Sequence, residues 1–125
     1  MGFEGEPEMS DVDDSFALYD LRIEWLPGEK PCYCGAKAGD HFELHGEHLR
    51  FPPAQTWSIY TLASLLPILP AKQRPTHPND WMTTDALVAC PDPNCGSRFR
   101  ISRLGTRTFK HAEVTAVPLP KADQP

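Results

Sequence analysis

The alternation of apolar and polar side chains is clearest over Leu-Tyr-Asp-Leu-Arg-Ile-Glu-Trp-Leu at 18–26. Tyr19, Leu21, Ile23 and Trp25 fall on one side and Asp20, Arg22 and Glu24 on the other, the period of two that marks a half-buried strand. After a turn at Pro27-Gly28, Gly39-Asp40 opens a second strand with Phe42 and Leu44 facing one way and His41, Glu43 and His45 the other. Gly46 turns it, and Leu49 and Phe51 continue the alternation until Pro52-Pro53 stops pairing. The period then changes. Ile59, Leu62, Ala63 and Leu66 are spaced i, i+3, i+4, i+7, which predicts a helix over 57–66 with this stripe facing the core and Thr56 placed to cap it. Pro67, Pro70, Pro75 and Pro78 predict an extended arm over 67–81, because each ring fixes φ and biases the preceding residue away from the helical region. Short strands follow at 86–89 and 97–102, the second with Phe99 and Ile101 turned inward, and together they read as a hairpin. Weaker strand patterns stand at 106–109 and 113–117.

Composition narrows the picture. Fourteen of 125 residues are proline, about twice the ordinary ~5%, which excludes a helical bundle. The longest nearly apolar stretch, 59–69, contains Thr61, Ser64 and Pro67 and falls short of the ~18 residues a membrane span needs. The start, Met-Gly-Phe-Glu-Gly-Glu, has neither the basic nor the apolar region of a secretory signal. These features predict a cytoplasmic protein in a reducing compartment, with no membrane partner. The net charge of −5 is carried by the head: residues 1–17 hold Glu4, Glu6, Glu8, Asp11, Asp13 and Asp14 and no base. That stretch has too little apolar surface to offset the entropy of ordering, and is expected to be a disordered acidic tail. A second frayed tail is expected at 118–125, leaving one domain over 18–117. Between 97 and 112 there are five bases, Arg98, Arg100, Arg103, Arg107 and Lys110, and no acid, a local basic face.

The candidate chemistry lies in the cysteines. There are four, in two close pairs: Cys32-x-Cys34 and, after 55 intervening residues, Cys90-x4-Cys95. Each pair is followed at once by glycine, Gly35 or Gly96, in a proline-rich turn between strands. Glycine permits the positive φ that aims backbone amides at a sulfur, and metal-bound thiolates need such donors. The reading is a metal site of the four residues Cys32, Cys34, Cys90 and Cys95 around one structural Zn²⁺ at ~2.3 Å. The fold class follows: α+β, mostly β, a zinc-ribbon-like antiparallel sheet with one short helix and a proline-rich arm. Structural disulfides are disfavoured by a reducing compartment and by the cramped C-x-C spacing. Buried free thiols are disfavoured by the position of both pairs in turns. A rubredoxin-like iron site uses the same ligand type and is the alternative metal, although the spacing matches none of the familiar ferredoxin runs. Four sulfurs close the shell and quench Lewis acidity, so the ion is not expected to catalyse. His41, His45, His48, His77 and His111 are expected on solvent-facing positions outside the shell. Phosphate-loop, dinucleotide, nucleophile-elbow and zincin motifs are missing. Asp80, Asp85 and Asp92 have the character of turn-forming and capping residues.

The running pattern Cys32 to Gly35, Gly39 to Leu44, Leu65 to Pro75, Pro78 to Met82 and Cys90 to Gly96 resembles a group of small bacterial proteins that share these blocks. More distantly it is similar to the small zinc-containing subunits of the ATP-dependent ketone carboxylases, acetone carboxylase and acetophenone carboxylase. The acetone enzyme's small subunit has C-x-C-G and later C-P-x-C-G; this chain agrees in the first knuckle and departs in the second, where Asp92-Pro93-Asn94 replaces a single residue. The mass of 14.0 kDa fits the acetophenone enzyme's small subunit better. The resemblance implies a hetero-oligomer in which larger carboxylase subunits activate bicarbonate with ATP and carboxylate a ketone, while the zinc subunit, not catalytic by itself, supplies scaffold and contact surface. Candidate partner-binding residues are Lys72, Arg74 and Trp81 on the arm, with Arg98 and Arg100 on the basic run. The rival class is a nucleic-acid-binding zinc ribbon using the basic run against phosphates, with Phe99 or Phe109 for stacking. A net acidic chain and the expected burial of Phe99 argue against nucleic acid as the partner.

Overall fold

The computed structural model describes residues 13–121. The described residues divide into a larger unit, Leu18–Arg107, and a smaller one made of the two ends, 13–17 and 108–121. Among the described residues, five strands form one sheet: β1 (Ser15–Leu26), β2 (His41–His45), β3 (His48–Arg50), β4 (Leu87–Ala89) and β5 (Arg98–Lys110), in the order β3-β2-β1-β5-β4. Short helices α1 (Ile59–Leu65) and α2 (Leu69–Gln73), a 3₁₀ turn (Trp81–Thr83) and a final helical turn α3 (His111–Val114) complete it. The protein is therefore α+β and mostly β, an antiparallel sheet with a few short helices. No helix of the described residues is long and apolar enough to cross a membrane.

The period-two pattern places the core. Leu21, Ile23 and Trp25 of β1 are buried and meet β2 in the register Leu21↔Leu44 and Ile23↔Phe42, so the inward faces of both strands coincide. Val88↔Phe99 pairs the expected β4–β5 hairpin, and Phe99 and Ile101 point inward. Trp57 sits between two of these strands, edge-on to Phe42 at 4.9 Å and tilted against Phe99 at 5.7 Å. Full burial of a side chain such as Phe42 contributes roughly 1.5–3 kcal/mol.

Several expectations are corrected. β1 begins at Ser15, inside the predicted acidic tail, whose residues 1–12 lie outside the described residues. β5 runs unbroken to Lys110 where two separate strands were expected, and 113–117 is not a strand. In the smaller unit Asp14 accounts for that last difference. Its carbonyl accepts from the His111 amide at 3.0 Å and its carboxylate from the Ala112 amide at 2.9 Å, so donors at the head of α3 are satisfied from another segment. In the same unit Phe16 stacks on Phe109 at 5.5 Å. Residues 118–121 have no regular structure, and 122–125 lie outside the described residues.

Helix α1 forms where its periodicity predicts, but rotated. Ser58, not Thr56, is its cap, accepting from the Tyr60 amide at 3.2 Å. Thr61 and Leu65 face the core and Leu62 of the expected stripe packs beside it, whereas Ile59 is 72% exposed and Leu66 and Ala63 are also exposed. A buried threonine is tolerated because its hydroxyl donates to the Ser58 carbonyl at 3.0 Å, and Leu65 is continued four residues on by buried Leu69 of α2.

The arm predicted as extended over 67–81 folds onto the sheet instead. Pro70 stands in the first turn of α2, where its missing N–H costs no helical bond. Lys72, 3% exposed, donates from Nζ to the Met82 carbonyl at 2.5 Å, and buried Gln73 donates to the Gly46 carbonyl at 2.7 Å. Arg103 of β5 closes the other side: Nε donates to the Lys72 carbonyl at 2.8 Å, Nη2 to the Arg74 carbonyl at 2.9 Å, and the guanidinium lies 4.7 Å from the centre of the Tyr19 ring. Burial, and then the positive charge of Arg103, push the Lys72 ammonium below its ordinary pKa.

The strands β1 and β5 are further tied by Asp20 and Arg107 in a forked pair at 3.1 and 2.8 Å, and by Glu24 and Arg100 at 3.6 Å. Partner numbers fall along β5 as they rise along β1, the mark of antiparallel neighbours.

Two outcomes follow from these contacts. Arg103→Lys keeps the charge but loses the fork, and is expected to cost about 2 kcal/mol in urea unfolding. The hydrogen bond from Arg107 holds the Asp20 carboxyl below the usual carboxylate range, so the folded state binds fewer protons than the unfolded one as pH drops past about 3.9. The stabilisation is full above that value and disappears as pH falls through the lowered one; Asp20→Asn lacks it, and its stability between pH 7 and pH 3, measured by thermal melts, declines less than that of the parent protein.

Candidate metal centre

The first cysteine pair follows β1 and the second precedes β5. Because those strands are antiparallel neighbours, the end of one and the start of the other share one edge of the sheet, and both loops are delivered there. The loops are then fastened by backbone. The Lys30 amide donates to the Cys95 carbonyl at 3.4 Å, and the Cys90 amide to the Ser97 carbonyl at 3.1 Å. At the crossing only glycine fits: a Cβ on Gly28 would lie 2.2 Å from the Cys95 carbonyl oxygen and 2.6 Å from the Ser97 nitrogen.

The result is a cluster of sulfurs. Cys32, Cys90 and Cys95 place their Sγ atoms within 4.8 Å of one another, close enough to hold one metal ion. A tetrahedral ion with ~2.3 Å arms sets its sulfurs about 3.8 Å apart, so a small contraction suffices. The four-sulfur expectation is met by three. Cys34 stands outside the set, its Sγ 2.9 Å from that of Cys32, and lines a cleft with Ala36, Thr56, Trp57, Ser58, Thr61 and Phe99. Cys90 and Cys95 are buried, and Cys32 and Cys34 are half-buried on either side of Tyr33, which is 90% exposed.

Amide donors are in place. The Cys34 amide is directed at the Cys32 sulfur, the Asp92 amide at Cys90, and the Ser97 amide at Cys95, the same two-residue step in each case. The glycines after each pair take the left-handed conformation expected of them, Gly35 at φ 84° and Gly96 at φ 73°. Burial and then the neighbouring Cys34 thiol raise the Cys32 pKa, and burial raises that of Cys90 against the pull of Ser97 and the Asp92 amide. The Ser97 hydroxyl, 3.1 Å from Sγ, and then the Ser97 amide lower that of Cys95, favouring its thiolate. A cation would draw the remaining protons off.

Sequence reasoning missed Ser97 and the close approach of Gly28. Ser97 followed the second knuckle and read as the start of a strand; Gly28 read as an ordinary Pro-Gly turn. Of the expected capping acids, Asp80 accepts from the Met82 amide at 2.8 Å and Asp92 from the Asn94 amide at 2.9 Å.

The candidate partner residues divide. Lys72 is corrected: it is buried and spent on the Met82 carbonyl, because the arm folds inward. Arg74 is exposed and donates to the Pro70 carbonyl at 2.9 Å. Trp81 is 71% exposed. Arg98 is exposed, and Arg100 is exposed beside Glu24. Three of the five bases of the basic run, Arg100, Arg103 and Arg107, are engaged within the fold.

The chain matches no family model, no curated protein and no solved structure.

The crossing at Gly28 is directly testable. Gly28→Ala forces backbone apart and is expected to destabilise by about 3 kcal/mol in urea unfolding. Gly105→Ala, where an added Cβ meets nothing within 4 Å, is expected to stay within about 0.5 kcal/mol of the parent protein.

Proposed function

We propose that this chain is a non-catalytic metal-binding subunit in which one structural Zn²⁺ clasps the two cysteine loops, and that it serves as scaffold for the large subunits of an ATP-dependent ketone carboxylase of the acetone or acetophenone type. The observation that carries the metal reading is the convergence of Cys32, Cys90 and Cys95 from loops far apart in sequence, each sulfur facing an amide donor. Cys34, one residue beyond Tyr33, is the fourth donor available to close the shell. A closed sulfur shell supplies cross-linking rather than Lewis acidity. Apparent zinc binding of ~10–16 kcal/mol in small domains exceeds the net stability of most small folds, so the ion would govern whether the loops stay joined.

The carboxylase assignment rests on the resemblance of the sequence blocks around the two knuckles. Of the partner residues first expected, Trp81 stays available for attachment, and exposed Ile59 and Tyr60 join it as candidates. Ile59 and Tyr60 at the start of α1 are 72% and 78% exposed, and Trp81 is 71% exposed, residue types suited to anchoring an interface. The engagement of Arg100, Arg103 and Arg107 within the fold disfavours a phosphate-tracking surface.

Elemental analysis of the purified protein is expected to give one zinc per chain and a colourless solution. Chelator treatment is expected to lower the melting temperature by more than 10 °C, with recovery on adding zinc. A metal-free native protein that melts unchanged after chelation overturns the metal reading, and a red iron-containing one overturns zinc. Purification from the native source at moderate salt is expected to bring down large carboxylase polypeptides; recovery of the chain alone, or with nucleic acid lost steeply with salt, overturns the subunit reading.

A further inference from the structure

The four cysteines are chemically unequal. Cys90 and Cys95 are buried, whereas Cys32 and Cys34 are half-buried, flank a solvent-exposed Tyr33 and touch sulfur to sulfur at 2.9 Å. Cys34 also opens onto the cleft beside Trp57 and lies outside the close group of Cys32, Cys90 and Cys95, so it is the outermost of the four sulfurs the metal reading uses. One residue between two cysteines gives a strained disulfide. Such a bond is a poor structural brace, and strained disulfides are the readily reduced, labile ones.

We propose that Cys32 and Cys34 form a reversible oxidation site for hydroperoxides, closing to a disulfide that withdraws Cys32 from the sulfur triad. The Cys34 thiolate attacks the outer peroxide oxygen; the O–O bond breaks, an alcohol or water leaves, and Cys34 becomes a sulfenic acid. The Cys32 thiolate then attacks the Cys34 sulfur, the S–O bond breaks and water leaves with one proton. In sum two thiols and one hydroperoxide yield one disulfide, one alcohol and one water, the peroxide taking up two electrons. The sulfur chemistry stands on the geometry alone; the consequence for the ion rests on the metal reading above. With Cys32 and Cys34 joined to each other, Cys90 and Cys95 are left as two donors, too few to retain the ion, and the two loops come apart until a thiol reductant restores the pair.

The test treats the full chain, zinc-loaded and chelator-stripped, with graded hydrogen peroxide and maps the cysteines by peptide mass spectrometry. In both preparations the first product is expected to be an internal disulfide in the peptide carrying Cys32 and Cys34, lighter by two hydrogen atoms and fully reversed by dithiothreitol. In the loaded protein one zinc should be released per disulfide, read with a chromophoric chelator. In Cys34→Ser, reversible disulfide at Cys32 should fall at least tenfold in the stripped protein. Cys32 linked first to Cys90 or Cys95, irreversible sulfinic acid at Cys34 with Cys32 still reduced, or an unchanged rate in Cys34→Ser overturns the proposal. Failure of the metal reading shows separately, as a purified protein without zinc, and the stripped-protein mapping then decides the disulfide by itself.

Discussion

The antiparallel contact between β1 and β5 is the constraint on which the rest of the molecule depends. It brings together the last residues of the first strand and the first residues of the last, and so converts two loops distant in sequence into one neighbourhood. Backbone does the joining: Gly28 lies flush against the Cys95–Ser97 segment, and the Lys30 amide reaches the Cys95 carbonyl. An interaction between main chains tolerates no side chain at the crossing, which is why one glycine carries more consequence there than the exposed residues around it.

The charged residues serve the same sheet. Arg103 satisfies the Lys72 and Arg74 carbonyls that a short helix leaves open at its end, and the Lys72 ammonium satisfies the Met82 carbonyl of the 3₁₀ turn. A guanidinium reaching two carbonyls while stacked on Tyr19 is a use for which arginine is suited and lysine is not. The cost is visible in Lys72, whose charge is disfavoured by burial. Among the apolar side chains left exposed are Ile59, Tyr60, Leu66 and Trp81.

The sulfur cluster combines two environments. Ser97, itself buried, lowers the Cys95 pKa from beside it and fixes the Cys90 amide with its own carbonyl, so the second knuckle is built around a single residue. The first knuckle is half-buried and open to solvent at Tyr33. A cluster with one buried half and one accessible half can be held in the interior and still be reached by small reagents.

Local alternation made β1, β2 and the β4–β5 hairpin legible, because a strand with one buried face writes its register into every second residue: Leu21, Ile23, Phe42, Leu44 and Phe99 were all readable as inward. The pairing of the cysteines and the glycines after them were legible for the same reason, being local. The inward side of α1 was not. Ile59 and Leu66 satisfy helical spacing as well as Thr61 and Leu65 do, and the choice between the two stripes depends on how the helix packs on the rest of the core. Nor was the inward fold of the arm, since Pro70 is as compatible with the first turn of a helix as with an extended chain, and the contacts that distinguish them, Arg103 from β5 and the Gly46 carbonyl that accepts from Gln73, come from remote segments. The amino-acid order by itself determined the inward faces of β1, β2 and the β4–β5 hairpin, the cysteine turns and the four thiols; tertiary structure decided how far β1 and β5 run, which three thiols meet, which helix face is buried and which lysine is lost to the interior. Those outcomes turn on contacts between segments remote along the chain, and no local periodicity encodes them.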